Sequence, residues 1–74
     1  MQPDISIMTL DIIEAIKHKR SVTLNKKKSI KNLQVKPKSF YGDFIGFRAL
    51  DISINKEIKI PFKDITHWSG LINY

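Results

Sequence analysis

The sequence predicts a small, mainly-β domain in which one N-terminal helix precedes a strongly bent sheet of five short strands that closes as a barrel. Three observations predict it. Apolar residues recur at helical spacing only near the N-terminus, then at a period of two from Ser21 onward, through about five short runs. At 74 residues the chain has room for one core, so residues 1–74 form a single domain. A flat sheet of such strands would leave long unpaired edges, which closure removes.

The helix is predicted over residues 9–20. Thr9 is a suitable cap, Asp11 and Glu14 lie in the early turns, and Lys17, His18, Lys19 and Arg20 fill the last one, as the macrodipole favours. Leu10, Ile13 and Ile16 form the face expected to be buried, widened by Ile12 and Ala15. Val22 and Leu24 alternate with polar residues in a first strand, and residues 25–28 form a polar turn. A second strand is expected over 29–36, with a bulge near Lys31 and Asn32 and with Pro37 closing it or sitting on an edge. Phe44 to Ile54 is the longest β run, bent at Gly46. Asn55 and Lys56 signal a turn, and Ile58, Ile60 and Phe62 alternate strictly. Residues 64–68 complete the domain as a short strand or a helical turn.

Composition excludes several classes. Without cysteine there is no disulfide scaffold, thiolate metal site or thiol nucleophile, and a reducing cytoplasm suits the chain. The first residues show no basic n-region, so no signal peptide is expected, and no run approaches the ~20 apolar residues of a membrane span. His18 and His67 are distant from each other, and Ser69-Gly70 has no strand-to-helix elbow. Asp43 and Asp51 flank the long β run and are expected to face solvent. His67 is expected at the surface beside a core-anchoring Trp68. No enzymatic activity, cofactor or metal is therefore expected.

The net charge of +6 is unevenly placed. Nine of the thirteen Lys and Arg fall between Lys17 and Lys38, where there is no Asp or Glu. Lys17, Lys19, Arg20, Lys26, Lys27, Lys28, Lys31, Lys36 and Lys38 thus form a candidate surface for an anionic partner, nucleic acid or nucleotide. Arg20, Lys27 and Lys28 mark its densest part. Phe40, Tyr41 and Phe44 follow directly and are candidate stacking platforms, with Tyr41 the one expected at the surface if both phenylalanines enter the core. Lysine dominates, so recognition would be weakly sequence-specific. The same charges also suit a merely solvated face.

The order of residues resembles the WYL domain, an Sm- or SH3-like barrel of bacterial transcriptional regulators. The resemblance covers about residues 9–68. It rests on Ala15-Ile16 with Arg20 four positions on, on Val22 and Leu24, on the Val35-Lys36-Pro37 step with Phe40 beyond it, and on Ile60, Phe62 and Ile65. The family's Trp-Tyr-Leu triplet falls at Phe44-Ile45-Gly46, its Tyr after the first strand at Lys26, and two of its Arg positions at Ile58 and Asp64. Only Arg20 matches a basic position of the family. The resemblance implies a ligand-sensing or regulatory module of a bacterial or phage protein, with single-stranded nucleic acid or a nucleotide among its ligands.

A second class stays open. The sheet edge and the apolar segment from Trp68 to Tyr74 suit a protein partner or a homodimer.

Overall fold

The computed structural model describes residues 3–71. Helix α1 spans Ile5–His18, four residues earlier at its start than the predicted 9–20. The cap is Asp4 and not Thr9: its carboxylate accepts the Ser6 N–H at 2.8 Å. At the other end Lys19 takes the left-handed conformation, and the Arg20 N–H bonds the Ala15 carbonyl at 2.8 Å, which ends the helix.

The earlier start also changes which face is buried. Met8, Ile12 and Ala15, at i, i+4 and i+7, are fully buried, whereas Leu10 is 66% and Ile13 47% exposed. The predicted Leu10–Ile13–Ile16 face is therefore corrected; only Ile16 packs partly against the core. Asp11 supplies the reason. Its carboxylate accepts the Trp68 indole N–H at 2.7 Å, which fixes the rotation of the helix and turns Leu10 outward. Trp68 is half-buried, and His67 beside it is exposed.

Five antiparallel strands follow: β1 Val22–Lys26, β2 Leu33–Tyr41, β3 Gly46–Asp51, β4 Lys56–Pro61 and β5 Ile65–Leu71, with a 3-10 turn Phe62–Asp64 before β5. Their order in the sheet is β4-β3-β2-β1-β5. The mainly-β fold is as expected, with near-equal extents of 28 × 26 × 23 Å. Closure is not found: among the described residues β4 and β5 are the two edges and do not pair.

Several details differ from expectation. The longest strand is β2, with nine residues, and Phe44 lies in the four-residue turn 42–45 with φ of 59°. Pro37 does not close β2 but sits inside it at an edge position, the other of the two places expected for it. It is tolerated because β1 pairs with β2 only as far as Val35, leaving one neighbouring strand at Pro37. The bulge falls at Lys38, not at Lys31-Asn32: Pro37 opposes Ala49 while Ser39 opposes Arg48, so Lys38 is the extra residue. Asp51 is buried, not solvent-facing; its Oδ1 accepts the Ser53 N–H at 3.0 Å and hydroxyl at 2.8 Å, and so builds the β3–β4 turn. Leu71 is the end of β5, opposite Val22, so Trp68–Leu71 belongs to the sheet. The remainder of the proposed apolar tail, residues 72–74, lies outside the described residues.

The core gathers under α1. Phe47 meets Phe62 at 5.9 Å and Trp68 edge-on at 6.3 Å between ring centroids. Replacing Ile12 with Ala should cost about 2–5 kcal/mol of unfolding free energy. Ile13→Ala should cost less than about 0.5 kcal/mol, as an exposed substitution. Urea denaturation of both variants checks the helix rotation, and equal losses would contradict it.

Candidate anion-binding face

The sheet divides its residues by parity. Val35, Pro37, Phe47, Ala49 and Ile60 point into the core, so Lys36, Ser39, Tyr41, Arg48 and Lys59 point outward. The register then sets Ser39 beside Arg48 and Arg48 beside Lys59 across β2, β3 and β4. Two cations directly opposite each other on neighbouring strands repel. Glu57, beside Leu50, is the carboxylate at the far end of this face.

Tyr41 lies at the other end. It opposes Gly46, and a Cβ there would sit 2.7 Å from the Tyr41 hydroxyl and 2.3 Å from the Ile60 carbonyl oxygen. Glycine thus lets the phenol cross the sheet closely. The Lys59 ammonium lies 5.3 Å from the Tyr41 ring centroid, in cation–π range. Phe40 packs against the core and stacks on Phe44 at 4.9 Å, away from this face. Tyr41 is therefore the aromatic residue of the three that accompanies the outward cations.

The bulge brings a further group together. Lys36 and Lys38 line a cleft of about 420 Å³ with Pro37, and Ile16 and Lys19 at the end of α1 complete it. Three of the nine cations expected to act together therefore do so.

The others do not join them. Lys26 ends β1, Lys27 and Lys28 form the following turn, and Lys31 lies in the loop before β2. Asn25 Nδ2 donates to the Lys31 carbonyl at 3.2 Å, which ties that loop to the turn. This group sits a full strand away from Arg20, about 16 Å at strand rise. Lys17 and Arg20 are exposed near the helix end. The expected single basic surface is thus two surfaces, because β1 carries the chain from one end of the sheet to the other. Arg48 and Lys59 were not foreseen: they lie outside the basic segment, and only the strand register joins them to it.

Four of the seven carboxylates are committed elsewhere. Asp4 caps α1, Asp11 holds Trp68, Asp51 builds a turn, and Glu14 faces His18 at 3.1 Å. Among the described residues no Lys or Arg lies within ion-pair distance of a carboxylate. Nor do three His, Asp or Glu side chains converge there to hold a metal, and no helix is long and apolar enough to cross a membrane. Comparison with protein-family models, with curated proteins and with solved structures finds no match.

Unpaired like charges make a simple prediction. Screening relieves repulsion, so raising NaCl from ~0.05 to ~0.5 M should stabilise the fold. A relief of about 0.5 kcal/mol corresponds to a rise of about 2–4 °C in Tm. A thermal melt that falls with salt would show that attractive pairs dominate instead.

Proposed function

We propose that this domain is a non-enzymatic binding module whose outer β2–β3–β4 face takes single-stranded nucleic acid. The observation that carries it is the Arg48–Lys59 juxtaposition beside Tyr41, with Lys36 of the Lys19–Lys36–Lys38 cleft on the same outward face and, among the described residues, no carboxylate paired to any of these cations. Such a set of like charges costs folding free energy unless an anion neutralises it. A polyanion does so along its length, since successive phosphates can meet successive cations. The Tyr41 ring adds a surface on which a base can stack.

Single strands fit better than duplex. The cations lie on a sheet face, and no helix presents a reading edge for a major groove. Lysines outnumber arginines, so contacts are to phosphate and sequence preference is weak. The resemblance to WYL domains agrees with this ligand class; the barrel that it implies is an open five-stranded sheet here. The shared positions are scaffold positions, however, and the ligand-contacting residues here are this chain's own. A nucleotide would occupy the Lys19–Lys36–Lys38 cleft alone and leave Arg48 and Lys59 untouched.

Titration with a fluorescent oligonucleotide of mixed sequence tests the proposal. The slope of log K against log salt should fall by about 0.7 for each phosphate contact removed. The triple variant K38E/R48E/K59E should abolish binding, while K27E/K28E, on the other surface, should weaken it only modestly. Circular dichroism should show both variants folded, since all five positions are outward. Equal losses from the two variants, or no saturable binding by the unmodified chain at physiological salt, would overturn the assignment of this face.

A further inference from the structure

The rotation of α1 leaves an apolar stripe facing away from the core. Ile5, Leu10 and Ile13 are 48%, 66% and 47% exposed, and Phe44 at the tip of the β2–β3 hairpin is 58% exposed. Ile5, Ser6, Thr9, Leu10 and Phe44 line a groove of about 480 Å³ between the helix and the hairpin. The uncovered side chains present on the order of 400 Å² of apolar surface, near the largest patch a monomer shows.

We propose that a second copy of this chain covers the stripe, with its α1 antiparallel to the first and the two-fold axis passing at Leu10. The charges at the ends of the stripe single out this occupant. Its N-terminal end carries the exposed Asp4, and its C-terminal end carries the exposed Lys17. A patch with an acid at one end, a base at the other and apolar residues between is complementary to itself under a two-fold rotation. With the axis at Leu10, Lys17 of one protomer lies opposite Asp4 of the other, and the helix dipoles oppose. Leu10 and Ile13 of each protomer then enter the groove beside Phe44 of its partner. Two patches with their polar flanks bury on the order of 1,200 Å², the lower end of stable interfaces. This contact leaves the Tyr41–Arg48–Lys59 face uncovered.

The absence of cysteine makes the geometry directly testable. In a Leu10→Cys variant of the full chain the only two thiols of a dimer meet across the axis, within the separation a disulfide requires. Under mild oxidation without nucleic acid it should cross-link at least about ten-fold faster than Ile30→Cys, because a preformed dimer raises the effective thiol concentration. Ile30 is 99% exposed in the loop between β1 and β2, outside the stripe, so its thiol reports random collision. Sedimentation of the unmodified chain should show a dimer that forms with concentration, and Leu10→Glu should be monomeric, with the melting curve that the unmodified chain shows at dilutions where it is monomeric. Lys17→Glu, which keeps the apolar stripe intact, should weaken the dimer at low salt. Equal cross-linking rates, a monomer up to about 1 mM, or a dimer indifferent to Lys17→Glu would overturn the proposal.

Discussion

The hydrogen bond from the Trp68 indole to the Asp11 carboxylate holds this structure in register. It joins residues 57 positions apart at 2.7 Å, tying the only long helix among the described residues to an edge strand. A carboxylate acceptor makes it stronger than a neutral bond, and partial burial spares it from full competition with water. Gly70 makes the approach feasible. Its φ of +81° suits glycine, and a Cβ there would come within 3.1 Å of the same Asp11 oxygen. Trp68 in turn closes edge-on against Phe47, so the bond at the rim reaches the centre of the core.

Both candidate surfaces follow from that anchor. With Asp11 held, Met8, Ile12 and Ala15 turn inward and Leu10 and Ile13 outward, which creates the apolar stripe. The end of α1 is brought beside β2, so that Lys19 joins Lys36 and Lys38 in one cleft. The small side chain of Ala15 allows this close approach of helix and sheet, as a larger residue at a fully buried position would not. The domain thereby has two surfaces of opposite character: a cationic sheet face and an apolar helix face.

The charge distribution leaves the cations unneutralised within the fold. Seven carboxylates face thirteen basic side chains, and four of the seven are occupied in capping, in holding Trp68, in building a turn and in facing His18. Among the described residues Lys and Arg are left without carboxylate partners, on a fold only 11.0 Å in radius of gyration. On so small a body every cation is within a few Debye lengths of every other, so the field is collective. Association of two copies through the helix stripe would pair Lys17 with an acid and lower that repulsion in part.

The sequence by itself determined the class of the fold, the change from a helical to a two-residue period at Ser21, and the concentration of positive charge before Lys38. Each of these is local: periodicity, composition and turn chemistry act within a few residues. The tertiary structure alone decided the rest. Helix rotation was invisible because α1 is apolar on two faces, and the choice between them was made by Asp11 reaching a tryptophan 57 residues away. Strand register, not spacing along the chain, brought Arg48 and Lys59 to Tyr41 and separated Lys27 and Lys28 from Lys36 and Lys38. A charge cluster in sequence becomes a charge cluster in space only where the chain turns back on itself. Here a fully extended β1 carried half of it away.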